Sequence, residues 1–462
     1  MSWELERFAQ FGDRLVATGD EGGTSYADFV DDVRRWRDVV RGWGVAAGDR
    51  VGLVADYHIG AVALLQALIA TGCIVIPLAH DDRALFDERL RTVCANQLVT
   101  VDVSSGVATA QCQDIAGGEA MHPLLAPLVA QGRAGFVIFT SGSTGKGKAV
   151  LLDHERLTRK FRHKVREASR TLLFLKLDHI GGLNTLFSVI YNGGTIVTCA
   201  SRRAGDICAA IARHHVALLP TTPSFLTMLL MSGQHREYDL SSLRTITYGT
   251  EVMPDSTLAA LGKVFPAVQL KQTYGLSELG ILSTRSRDST SKWMQIGGEG
   301  YSIKVEDGTL WIKTDLAMLG YLNAPSPFDA DGWYHTGDKV EVDGEWFRIL
   351  GRESEVINVA GEKVFPIEIE SFLLTLPNVR DVLVREKKSP VTGQMIWAEF
   401  LRDAPEEPAG FRRRVVAHCQ GHLAPFKVPG FITIASGDSF VGSRFKKIRR
   451  SAAADASLPT VA

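Results

Sequence analysis

The sequence predicts an α/β protein. A large N-terminal domain of layered parallel and mixed sheets with helices should precede a small α+β C-terminal domain. Three observations predict this. Helical and strand-like patterns alternate through most of the chain. Beyond Lys304, Asp-Gly turns between short apolar runs take over. And 462 residues, at about 150 per domain, suffice for two or three domains with a sizeable core. The expected division is 1–351 and 352–462.

Tyr26, Phe29, Val30, Val33, Trp36, Val40 and Trp43 recur at helical spacing with charged residues between them, an amphipathic helix. Ser25 and Asp28 give it a capping-box-like start, and Gly42 and Gly44 an end. Residues 50–55 read as a strand. Residues 59–79 carry no charge, but Gln66, Thr71, Gly72 and Pro77 interrupt them. A buried helix over 59–70 and a buried parallel strand over 73–78 explain the segment better than a membrane span. Strands follow at 135–140 and 149–152, then a basic helix around 156–170, a helix at 183–191 and a strand at 195–199. Further strands at 216–220, 245–249 and 270–274 end in polar loops, where open parallel sheets bind ligands. Hairpins are expected around Asp307-Gly308 and Asp343-Gly344. A helix at 366–374, strands at 382–385 and 396–401, and a helix at 411–422 complete the small unit.

Lys plus Arg number 51 and Asp plus Glu 52. Such a balance argues against a protein that coats nucleic acid or an anionic membrane. Six cysteines include no C-x-x-C pair, so inert thiols in a reducing cytoplasm are expected. Residues 1–10 show no signal-peptide pattern.

Chemistry concentrates after the strand at 135–140. Thr140, Ser141, Gly142, Ser143, Thr144, Gly145, Gly147 and Lys148 combine glycines that admit a close backbone, hydroxyl donors and one cation. That set suits a polyphosphate. The string follows G-x-x-x-x-G-K but has Ala149 where a P-loop needs a hydroxyl, and a strand where it needs a helix.

Thr140 to Lys148 resembles the T-S-G-S-T-G-x-P-K-G loop of the adenylate-forming enzymes, which include acyl-CoA ligases, aryl-acid and amino-acid adenylating domains and firefly luciferase. Gly147 and Ala149 depart from that pattern. Tyr274-Gly275-Leu276-Ser277-Glu278 is similar to the family's Y-G-x-T-E. The resemblance implies that Tyr274 packs on adenine and that Glu278 ligates Mg2+, a hard cation suited to carboxylate oxygen. Gly249 and Thr250, in Tyr248 to Pro254, fall where the family lines its adenine and acyl pockets. Asp338, in Tyr334-His-Thr-Gly-Asp338, would bind the ribose hydroxyls, and Arg352 ribose or phosphate. Ser354 falls at the family's hinge, and the Gly361 region would reach the site after a domain rotation. His179, in Leu177 to Leu183, would line the acyl pocket; amino-acid-activating members carry an Asp there. Near the C-terminus, Lys447-Ile-Arg-Arg450 resembles the family's G-K-I-x-R, which makes Lys447 the catalytic lysine and leaves Lys446, at the usual Gly position, as the alternative.

The implied activity is attack of a carboxylate on ATP, release of pyrophosphate, and transfer of the acyl group to coenzyme A or to the phosphopantetheine of an acyl carrier protein. An amino-acid adenylating enzyme, a luciferase-type oxygenase and a nucleotide-binding protein without turnover are the alternatives. Neither the acid, the thiol acceptor nor the oligomeric state follows from the residues.

Overall fold

The computed structural model describes residues 3–447 apart from 20–21, 105, 116–120, 141–146, 164, 166, 200, 436, 438–439 and 443–445. The expected phosphate-binding residues Ser141, Gly142, Ser143, Thr144 and Gly145 therefore lie outside the described residues.

Two seven-stranded sheets form the body of the large domain. The first runs Gln269–Gln272, Thr245–Tyr248, Leu218–Thr221, Arg170–Leu172, Thr195–Val197, Leu15–Gly19 and Gly22–Ser25, parallel except for its last pair. The second has a parallel centre, Gly135–Thr140, Ile74–Leu78, Arg50–Val54 and Gln97–Asp102. Antiparallel strands Lys148–Asp153 and Thr109–Asp114 flank it, and Gly320–Tyr321 adds an outer edge beside Lys148–Asp153. A six-stranded antiparallel sheet follows, including the hairpins Tyr301–Glu306 with Thr309–Thr314 and Tyr334–Asp343 with Trp346–Arg352. The small unit has its own core, in which Ile357, Val384, Phe400, Phe411 and Val415 are buried together.

Local signals explain most elements. Ser25 caps the helix Tyr26–Gly42 by accepting from Asp28 N–H, and the expected apolar stripe from Tyr26 to Val40 is buried. The uncharged segment is the helix Ile59–Thr71, ended by Gly72 at φ +86°, then the strand Ile74–Leu78. Among the described residues no helix is long and apolar enough to cross a membrane. All six cysteines are free thiols.

One element is shorter than expected. The basic helix ends at Arg162, and Arg170 opens a strand. Beyond Arg162 the sequence offers Val165 as its lone large aliphatic before Leu172, and Val165 is exposed. Without an apolar face a helix has nothing to bury. Helices Ala204–His214, Pro223–Ser232 and Asp255–Val264 add cover to the first sheet.

Gly182 marks the tightest packing. A Cβ there would lie 1.9 Å from the Lys176 carbonyl oxygen and 2.7 Å from the Tyr57 hydroxyl. Backbone cannot yield as a flexible side chain does, so Gly182→Ala should cost about 3 kcal/mol, read from the midpoint of urea unfolding. An unchanged midpoint would contradict the close approach.

Candidate active site

A cleft of about 2020 Å³ opens at the carboxyl ends of the first sheet's parallel strands and extends to the small unit. Thr140, Lys148, His179, Gly249, Thr250, Tyr274, Gly275, Ser277, Glu278, Asp338, Arg352, Ser354, Lys446 and Lys447 all border it. Gly361 does not. It sits exposed at φ +95° in the turn between Ile357–Val359 and Glu362–Val364, its N–H donating to Asn358 Oδ1.

The glycine-rich segment joins two antiparallel strands, with Thr140 paired to Lys148. A strand, not the helix that a P-loop opens, follows it. Asn323 fixes its returning limb: Nδ2 donates to Gly147 O at 2.9 Å and Oδ1 accepts from Ala149 N–H at 2.8 Å. The Lys148 ammonium lies 4.9 Å from the centre of the Tyr321 ring.

Tyr274 and Asp338 form the opposite wall. The Tyr274 hydroxyl donates to Asp338 Oδ2 at 2.6 Å, and Arg352 Nε lies 2.8 Å from Asp338 Oδ1. Asp338 and Arg352 are register partners on adjacent antiparallel strands, so the backbone itself sets this pair. Thr336 braces both. Its hydroxyl accepts from Asp338 N–H, and its carbonyl accepts from Arg352 Nη1. Burial pushes the Asp338 carboxyl above its usual range, with Arg352 pulling it back, and burial likewise raises the Tyr274 phenol.

Ser277 and Glu278 occupy the turn between the paired strands Gly275–Leu276 and Gly280–Ile281. Glu278 is buried, and its Oε1 accepts from the Tyr321 hydroxyl at 2.6 Å. Burial, with the Glu278 charge beside it, raises the Tyr321 phenol. Gly249 has no room for a side chain: a Cβ would lie 2.4 Å from Thr273 Oγ1 and 2.8 Å from Thr273 O. Thr250 next to it holds φ +75°, a conformation costly for a β-branched residue and typical of sites that pay for strain elsewhere.

His179 does two things. Its Nδ1 accepts from Gly181 N–H at 3.0 Å, capping the helix Ile180–Tyr191, while its ring borders the cleft. The cap uses Nδ1 as acceptor, which places the proton on Nε2.

The two candidate lysines differ in their surroundings. The Lys447 ammonium is 2.7 Å from Asp381 Oδ1 and 3.6 Å from Glu370 Oε2, and donates to Val382 O at 2.7 Å. Its backbone N–H reaches Glu251 Oε2 at 3.4 Å, so this loop touches the segment that follows Gly249. Lys446 lies within electrostatic reach of Asp338.

Tyr321, Asn323, Thr336 and Glu251 escaped the sequence reading. Tyr321 and Asn323 belong to no motif, and their partners Glu278, Gly147 and Ala149 lie far along the chain, whereas Thr336 and Glu251 fall inside motif strings that gave them no role.

Known proteins place this architecture. The AMP-binding enzyme family matches residues 5–322, and the AMP-binding enzyme C-terminal domain matches 368–439. The chain is 27% identical over 463 residues to a 2-succinylbenzoate–CoA ligase of Bacillus pumilus, covering 93% of this chain and 92% of that one. It is 25% identical over 482 residues to the long-chain-fatty-acid–CoA ligase FadD13 of Mycobacterium tuberculosis, covering 94% of each. The solved anthranilate CoA ligase AuaEII, in complex with anthranoyl-AMP, superposes with a TM-score of 0.80 at 19% identity over 98% of both chains, a likeness of fold. With both family domains matched in order, the chain belongs to the AMP-binding enzymes, the adenylate-forming superfamily.

Proposed function

We propose that this enzyme uses ATP to convert a carboxylic acid to an acyl-adenylate, releasing pyrophosphate, and then passes the acyl group to a thiol. The acceptor would be coenzyme A or the phosphopantetheine of an acyl carrier protein. The observation that carries this reading is one cleft bordered by Thr140 and Lys148, the Tyr274–Asp338–Arg352 cluster, Glu278 and a lysine-bearing loop of the small unit.

Both reactants are anions, so the site must neutralise charge and hold them in line. Tyr274 would support the adenine, and Asp338 would accept from the ribose hydroxyls while Arg352 keeps the carboxylate oriented. Thr140, Lys148 and the residues between them would grip the β- and γ-phosphates. Lys447 would leave Asp381 to cover the reacting oxygens. Domains are proposed as 1–351 and 352–462. Rotation at Ser354 would then withdraw Lys447 and bring Gly361, now outside the cleft, toward the thiol.

Mg2+ fits at Glu278. Among the described residues no group of three or more His, Cys, Asp or Glu side chains forms a metal cage. A single buried carboxylate suits an ion held chiefly by substrate phosphates and water. When bound, it would neutralise phosphate charge.

ATP–pyrophosphate exchange across a panel of carboxylic acids tests the activity; silence with every acid would sink it. Glu278→Ala should shift the Mg2+ dependence of exchange to concentrations at least about tenfold higher. A superimposable titration would remove Glu278 from that role.

A further inference from the structure

The helix Ile180–Tyr191 has two unlike faces. Leu183, Leu186, Phe187, Ile190 and Tyr191 are buried in the main core. Asn184, Thr185 and Ser188 stand on the other face, with Asn192 one turn further on, and all four border the cleft. Asn184, Thr185 and Ser188 are half-buried, so this polar stripe faces the cleft. Across the cavity stand Thr171, Thr247 and Lys271 of the first sheet. Thr247 and Lys271 are register partners on parallel strands, so they project from the same face.

These positions define a corridor. From His179 to Asn192 it follows the helix for about 20 Å at 1.5 Å per residue. Lys271 precedes Tyr274 by three residues, placing it about 10 Å down the strand from the nucleotide wall. The corridor therefore leads away from the reaction centre, where the tail of the acid must go.

Beside apolar residues such as Leu175, Val189 and Met228, its lining carries polar groups that a plain hydrocarbon would leave unsatisfied. The Asn184 amide and the Ser188 and Thr247 hydroxyls are half-buried and make no hydrogen bond to the described residues. Thr185 Oγ1 donates to Gly181 O and keeps its lone pairs. An alkyl chain would strip water from these groups and return nothing, the costly outcome for a polar group. A tail carrying oxygen would satisfy them.

Building on the adenylation reading above, we propose that the acid bears oxygen substituents remote from its reacting carboxyl, a ketone or a second carboxylate, with Lys271 supplying the cation for the far group. The two relatives named above are a 2-succinylbenzoate ligase and a long-chain-fatty-acid ligase. The corridor favours the oxygenated kind.

The test is ATP–pyrophosphate exchange with matched acids: nonanoate against nonanedioate, and 4-phenylbutanoate against 4-oxo-4-phenylbutanoate. The oxygenated member of at least one pair should lead by about 100-fold in kcat/KM, because a site built for hydrogen bonds rejects the analogue that lacks them. Lys271→Met and Asn184→Leu should each cut that lead about tenfold while leaving the KM for ATP unchanged. Equal or better use of the plain acids would overturn the proposal, as would leads that survive both substitutions. If no acid supports exchange, the adenylation reading fails instead. Thermal shifts with the same acids then judge the corridor: greater stabilisation by the oxygenated members, lost in Lys271→Met, supports it, and equal shifts refute it.

Discussion

Lys447→Ala should lower ATP–pyrophosphate exchange by about 10²–10³, the usual consequence of deleting a preorganised charge stabiliser. Thioester formation from supplied acyl-adenylate should stay close to that of the parent enzyme, because the lysine serves the step in which two anions meet. That half-reaction also reports that the variant folds. In this structure the Lys447 ammonium rests on Asp381, with buried Glu370 at 3.6 Å, so it must exchange one set of oxygens for another to reach the nucleotide. Lys446→Ala should cost no more than about fivefold, the scale of one solvent-screened charge pair. If the two variants came out in the reverse order, the role would pass to Lys446, which lies within electrostatic reach of Asp338.

Asp338→Ala is expected to raise the KM for ATP at least about tenfold and to destabilise the fold by about 1–3 kcal/mol. The carboxylate is 5% exposed and accepts from the Tyr274 hydroxyl while pairing with Arg352. Removing it strands a buried phenol and a guanidinium. The Arg352 side chain keeps 41% of its surface in solvent, which screens part of that loss and holds it below the cost of breaking a fully buried pair. The same residue predicts a pH effect. Burial raises its pKa above that of an ordinary aspartate, so on acidification it takes up a proton sooner. The acid limb of kcat/KM for ATP, which reports the free enzyme, should therefore fall at a pH above the ordinary aspartate range. In Asp338→Asn that limb should vanish. A parent profile that stays flat down to ordinary aspartate values would contradict the assignment, as would an unchanged limb in Asp338→Asn.

Much of the fold was legible because burial leaves periodic marks. The stripe from Tyr26 to Val40, the uncharged 59–79 segment and the Asp-Gly hairpins each became the element their pattern implied. The strand Gly135–Thr140 fell at its expected bounds. The basic helix misled because charge alone says nothing about where an apolar face runs out.

The candidate site was legible only in part. Its groups come from motifs, and a motif states which side chains are available. It does not state what braces them. Tyr321 is 43 positions from Glu278, and Asn323 is 176 from Gly147. No local pattern links residues so separated. His179 looked like a pocket residue and is a helix cap as well, a double use its neighbours in sequence do not reveal.

The sequence by itself determined the chain's alternation of helices and strands, the two strands that flank the phosphate-type segment, and the kinds of donor, cation and carboxylate present. Those depend on residue type and on neighbours a few positions away. Tertiary structure alone decided which oxygens hold the Lys447 charge, that burial raises the Asp338 proton affinity, and that the polar stripe of Ile180–Tyr191 borders the cleft. Electrostatics and desolvation act through space, and folding sets those distances between residues that the sequence keeps far apart.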